Sequence, residues 1–192
     1  TVPAYNKPQQ TGLFFHFQAI AQSTTLPCIL YNVPGRTSLN MTTETTLKLA
    51  QIDNIIGIKE ASSDIEQITN IIKNSPENFR VWSGNDDETF GIMTLGGFGI
   101  VSVASNIIGN QIKQMMNYIL EGDFIKGSNE HKRLLPIFKA LFWETNPVPI
   151  KYAVNKSGFN VGSTRLPMYE PSPEFKEKFD PIFKKYKIDL NN

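Results

Sequence analysis

Apolar residues in this chain follow two alternating patterns: short runs with little polar interruption, and longer stretches where they recur every three or four positions. The short runs cover residues 26–33, 55–60, 80–84 and 99–104. Apolar runs without strict alternation predict strands covered on both faces, as in a parallel sheet. Pro34-Gly35 closes the first run as a breaker. Between the runs, helices are predicted over residues 42–50, 64–73 and 88–95; Ile65, Ile68 and Ile72 give the second its apolar stripe. A further helix is predicted over residues 12–22, after the loop Asn6-Lys7-Pro8, and residues 1–5 read as the tail of one more strand. Beyond the fourth run the pattern is helical, over residues 111–120, 125–142, 151–157 and 174–187, the last broken by Pro181.

Strand and helix in alternation predict parallel strands joined by right-handed crossovers. The expected fold class is α/β: the C-terminal part of a (β/α)8 barrel, four to five strands within residues 1–107, then a helical C-terminal region at 108–192. A closed barrel takes about 250 residues before such additions, so the sequence is expected to be a fragment lacking roughly a hundred N-terminal residues.

Composition narrows the function classes. With 40% hydrophobic and 19% charged residues, the 192-residue chain has the profile of an ordinary soluble globular protein. Nineteen basic against 18 acidic residues leave a net charge of +1, which gives no footprint for nucleic acid or an anionic membrane. No apolar run approaches the roughly 18 residues of a membrane span. The single cysteine, Cys28, cannot form an intramolecular disulfide and fits a reducing, cytoplasmic setting. His16 and His131 show no ligand spacing with each other or with Cys28.

The chemistry gathers at the predicted strand ends, where α/β barrels carry their active sites. Those ends hold Tyr5, the segment from Tyr31 to Thr37, Lys59-Glu60-Ala61, Ser83-Gly84-Asn85-Asp86-Asp87, and the segment from Val101 to Asn106. A lysine ending the run Ile55-Ile56-Gly57-Ile58 is desolvated, and its free amine can form a Schiff base with a carbonyl substrate. The blander alternatives are a lysine that snorkels out of the strand end or pairs with Glu60. Tyr31 is a candidate proton shuttle, Arg36 a candidate carboxylate clamp, and Gly84 a place where a substrate can approach the backbone. Asp86-Asp87-Glu88 reads as a solvated acidic turn ahead of a helix.

Seven motifs carry a specific resemblance. They are Pro3-Ala4-Tyr5-Asn6-Lys7-Pro8, Leu30-Tyr31-Asn32-Val33-Pro34-Gly35-Arg36-Thr37, Ile56-Gly57-Ile58-Lys59-Glu60-Ala61, Ser83-Gly84-Asn85-Asp86, Gly96-Gly97-Phe98-Gly99-Ile100-Val101-Ser102-Val103, Asn146-Pro147-Val148-Pro149-Ile150-Lys151 and Arg165-Leu166-Pro167-Met168. In order and spacing across nearly the whole chain, they resemble the dihydrodipicolinate synthase family of pyruvate-dependent Schiff-base lyases.

The resemblance implies a class I lyase that condenses pyruvate with L-aspartate 4-semialdehyde to 4-hydroxy-tetrahydrodipicolinate, in lysine and diaminopimelate biosynthesis. It implies that Lys59 is the Schiff-base lysine and Tyr31 the proton relay. It further implies that Tyr5 completes a neighbouring subunit's relay, Arg36 binds the aldehyde substrate's carboxylate, and Gly84 and Val101 line the pyruvate pocket. No cofactor or metal is implied, and the expected assembly is a homotetramer built as a dimer of dimers. N-acetylneuraminate lyase and other pyruvate aldolases share the lysine and tyrosine and form the alternative, as does a non-catalytic half-barrel that binds a partner chain. Two departures stand out. Ala4 replaces the first of a tyrosine pair near the family's lysine feedback site, and the Gly-Thr-Thr-Gly-Glu segment, with its relay threonines, is absent. The isolated 192-residue chain is therefore expected to be inactive.

Overall fold

A computed structural model describes residues 1–190. The chain divides into two compact units, Thr1–Val101 and the part beginning at Ser102.

In the first unit, strands β1 (Cys28–Asn32), β2 (Ile55–Glu60), β3 (Arg80–Ser83) and β4 (Gly99–Ile100) pair in that order, all parallel. The helices α1 (Gln10–Gln22), α2 (Pro34–Thr37, a single turn), α3 (Thr43–Leu49), α4 (Ile65–Asn74) and α5 (Thr89–Thr94) connect or precede them. Local chemistry sets several starts. Thr42 Oγ1 accepts from the Thr45 N–H at 3.3 Å and Asp64 Oδ1 from the Gln67 N–H at 2.9 Å, which caps α3 and α4.

The two faces of the sheet differ. Leu30, Ile58 and Val81 stand level in register and are buried with Leu13, Phe17, Met41, Leu49, Ile68, Ile71 and Ile92 in the core against the helices. Tyr31, Lys59 and Trp82 stand level on the other face. Trp82 meets Phe98 edge-on at 5.4 Å, with the Arg80 guanidinium 5.2 Å from the Phe98 ring centre. Gly57 is fixed by this packing: a Cβ there would meet the Arg80 carbonyl oxygen and come within 2.5 Å of Trp82 Cζ3.

The second unit is helical: α6 (Ser105–Leu120), α7 (Phe124–Ala140), α8 (Val148–Lys156) and α9 (Pro173–Phe183). Helix α6 packs on α7 and α8, and α7 on α9. Phe175, Phe179 and Phe183 recur every fourth position along α9, with centroids 4.9 and 5.7 Å apart. Lys156 Nζ and the Tyr152 hydroxyl both reach the Asp180 carboxylate, at 2.8 and 3.0 Å. No helix among the described residues is long and apolar enough to cross a membrane.

Several boundaries differ from the sequence expectation. The fourth strand ends at Ile100 instead of residue 104, because Ala104 already has helical dihedrals as the N-cap of α6. Helix α6 starts at Ser105, six residues before the predicted start; Ile108 is non-helical inside it (φ −135°, ψ 35°), and this kink hides the first turn's periodicity. Pro181 does not break α9 but lies two residues before its end at Phe183, so the helix stops short of residue 187. Residues 1–5 form no strand, although the Val2 N–H donates to the Tyr31 carbonyl at 3.0 Å and so runs that segment beside β1.

Candidate active site

The site is assembled on the C-terminal ends of β1, β2 and β3. Lys59 is the penultimate residue of β2, half-buried, with Tyr31 of β1 and Trp82 of β3 as its register partners. Its Nζ lies 4.2 Å from the centre of the Tyr31 ring. Burial lowers the Lys59 pKa; the Asp86 carboxylate opposes that shift and the Arg36 guanidinium reinforces it. The Tyr31 hydroxyl is shifted the other way, raised by burial and partly offset by Arg36. A weakened lysine base over a tyrosine that holds its proton is a pair suited to carbonyl addition followed by loss of water.

Gly84 follows β3 directly, and its N–H donates to the Glu60 carbonyl at 2.7 Å. A Cβ on Gly84 would stand 2.6 Å from the Ala61 Cβ and 3.2 Å from the Lys59 Cε, so only glycine leaves room beside the lysine's arm. Arg36 is carried on α2, the single turn that Pro34 starts directly after β1. It is exposed, and its charge reaches both Lys59 and Tyr31. Val101 extends the β3–β4 ladder by donating its N–H to the Ser83 carbonyl at 3.0 Å, with the side chain 44% exposed.

The structure thus brings Lys59, Tyr31 and Gly84 together and sets Arg36 within electrostatic reach. It does not bring Tyr5 into this group. Tyr5 is 93% exposed, with a left-handed backbone at φ +69°.

Two sequence readings are corrected. Asp86 is not a solvated turn residue: it is 2% exposed and its charge acts on Lys59. Glu60 is not a partner for Lys59. Strand alternation turns it to the helix side, where it is fully buried and accepts from Asn32 Nδ2, the Ser62 N–H and Gln67 Nε2. Of the two, Glu60 carried a readable signal. A carboxylate beside a strand-end lysine points to the opposite face, and a buried carboxylate needs donors. Asn32, at the matching position of β1, was the donor to look for.

Known proteins resemble this chain over most of its length. The sequence profile of the dihydrodipicolinate synthetase family matches residues 1–186. The 4-hydroxy-tetrahydrodipicolinate synthase of Dehalococcoides mccartyi is 48% identical over 189 residues, covering 98% of this chain and 64% of that protein. The synthase of Microcystis aeruginosa is 50% identical over 177 residues, covering 92% of this chain and 60% of its own length. The crystal structure of dihydrodipicolinate synthase from Aquifex aeolicus superposes with a TM-score of 0.95 at 41% identity, over 100% of this chain and 66% of that one. The chain therefore spans less than two thirds of the length of the curated relatives it matches. Its four parallel βα units are part of a (β/α)8 barrel, and the chain belongs to the dihydrodipicolinate synthetase family.

Proposed function

We propose that the protein to which this chain belongs is a class I Schiff-base lyase that condenses pyruvate with L-aspartate 4-semialdehyde to 4-hydroxy-tetrahydrodipicolinate. The observation that carries the reading is Lys59 Nζ, 4.2 Å over the Tyr31 ring, with its basicity lowered by burial. The free amine attacks C2 of pyruvate, and the carbonyl oxygen leaves as water after proton transfer through Tyr31. The resulting imine loses a methyl proton to give the enamine, whose carbon adds to the aldehyde carbon of the second substrate. That substrate's own amine then attacks the imine carbon, closes the ring and expels Lys59 as the free amine. The protonated imine on Lys59 is the electron sink when the methyl proton is lost, and its nitrogen returns the pair when the enamine adds to the aldehyde, so the cycle as written consumes no metal or organic cofactor.

In this reading Arg36 holds the carboxylate of the semialdehyde, a task suited to an exposed guanidinium at the site's edge. Gly84 and Val101 line the pyruvate pocket. The 93% exposure of Tyr5 supports its use by a neighbouring subunit of a homo-oligomer. The test is intact mass of the protein from its native gene after treatment with pyruvate and borohydride. One reduced pyruvate on Lys59 is the expected result. A protein that stays unmodified, or is modified at another residue, would overturn the assignment.

A further inference from the structure

Behind Lys59 and Tyr31, on the helix side of the sheet, their chain neighbours Glu60 and Asn32 meet. Both are fully buried, and they face each other in register. Asn32 Nδ2 lies 3.1 and 3.2 Å from the two Glu60 carboxylate oxygens. The Ser62 N–H donates to Oε1 at 2.8 Å and Gln67 Nε2 donates to Oε2 at 3.2 Å. The network continues through Asn40, whose Oδ1 accepts from Asn32 Nδ2 at 2.7 Å and whose Nδ2 donates to Gln67 Oε1 at 2.8 Å. The Met41 N–H closes it on Asn32 Oδ1 at 3.0 Å. One carboxylate thus ties β1, β2 and α4 together, and Asn32 and Gln67 carry the network on to the segment before α3.

A buried carboxylate is costly without partners, and each of these partners is a donor. The cluster is therefore built around an acceptor at both oxygens, and the apolar residue that would suit this core elsewhere has no place in it. Because strand side chains alternate between faces, whatever fixes Glu60 against Asn32 also fixes Lys59 against Tyr31.

We infer that Glu60 is a positioning residue: its bridge to Asn32 and Gln67 holds β1 and β2 in the setting that places Lys59 over Tyr31. This rests on the Schiff-base reading above. Misplacing a reacting pair by about 1 Å costs roughly 10²-fold in rate.

The experiment follows the rate of pyruvate trapping on Lys59 by borohydride and mass analysis, in the protein from its native gene, with thermal unfolding in parallel. Glu60→Gln keeps the size but turns an amide against the Asn32 and Gln67 donors. A folded E60Q protein is expected to trap pyruvate about 10²-fold more slowly at saturating pyruvate, with little change in half-saturation. Pairing it with Asn32→Asp exchanges acceptor and donor, and the neighbouring amides of Asn40 and Gln67 can turn over to match. The double variant is expected to recover at least about tenfold of the lost rate, which a merely structural defect would not do.

Trapping by E60Q at the unaltered rate, or a loss of thermal stability alone, overturns the inference; so does failure of the double variant to recover. If E60Q does not fold, Gln67→Met, which leaves the Glu60–Asn32 bridge but removes the α4 donor and the acceptor for Asn40 Nδ2, is read in the same assay: slower trapping supports the inference and an unchanged rate overturns it. An unsubstituted protein that traps no pyruvate refutes the Schiff-base reading and this inference with it. Trapping by that protein but equally by E60Q refutes the inference alone.

Discussion

A lysine partly screened from water, within electrostatic reach of a guanidinium, costs the folded state stability at neutral pH, because the unfolded chain hydrates the ammonium freely. The sign follows from proton binding. The folded-state pKa of Lys59 lies below its unfolded value of about 10.4, so between the two the unfolded chain binds more protons and stability rises with pH. Lys59→Met removes this penalty. The variant is expected to form no pyruvate adduct and to melt at a higher temperature than the parent at pH 7; an unchanged or lower melting temperature would contradict the desolvated amine. The same charges set the reaction's pH dependence. Trapping should rise with pH through a midpoint below that of an ordinary lysine. Asp86→Asn should move the midpoint further down and Arg36→Ala should move it up, since one group raises and the other lowers the Lys59 pKa. Shifts in the same direction would show that the two charges do not act on Lys59. Arg36→Ala should also weaken use of the carboxylate-bearing aldehyde far more than imine formation with pyruvate, and equal loss of both would remove its assigned role.

At the scale of elements, strand and helix identity was readable where the apolar period was clear. Residues 55–60 gave β2 without error, and the stripe Ile65, Ile68 and Ile72 gave α4 to within a residue; the structure shows Asp64 to be its cap and not its first residue. Errors arose where local signals conflict with dihedrals that tertiary packing imposes: the kink at Ile108, Pro181 near a helix end, and the short β4. The side of the sheet that carries Lys59 was legible because lysine, tyrosine and glycine stand out at apolar strand ends. The opposite side was not, because Asn32, Asn40, Glu60 and Gln67 come from four separate segments and read as ordinary polar positions until the fold joins them. Gly57 shows how tightly the elements fit. Gly57→Ala would drive a methyl into the Arg80 carbonyl and the Trp82 ring and force β2 and β3 apart. Overpacking of this kind costs about 1–3 kcal/mol, and the rigid backbone oxygen places this site at the upper end, near 3 kcal/mol. Urea unfolding of the parent and of G57A measures it; a loss under about 1 kcal/mol would mean that the strands can separate without strain.

The molecule as a whole has an imbalance between the faces of its sheet. Parallel strands are normally covered on both sides, and here the helices cover one. On the other, Ile29 is 47% exposed, Phe98 53% and Val101 44%, around the half-buried Trp82. A single exposed apolar residue needs no explanation, but exposed apolar residues at both edges of one sheet face favour association through that face. The 192-residue polypeptide expressed by itself is therefore expected to self-associate as its concentration rises, to bind a hydrophobic dye, and to show no turnover. Sedimentation velocity across a concentration series measures the first of these. Replacing Phe98 and Ile29 with serine and threonine should reduce both association and dye binding while leaving the helix-side core intact, because neither residue contributes to that core. Association that persists in the double variant would place the sticky surface elsewhere. Turnover by the polypeptide alone would mean that the pair of Lys59 and Tyr31 works without the cover that parallel sheets otherwise require, and that pre-organisation by Glu60, Asn32 and Gln67 from behind the sheet is enough to support the chemistry.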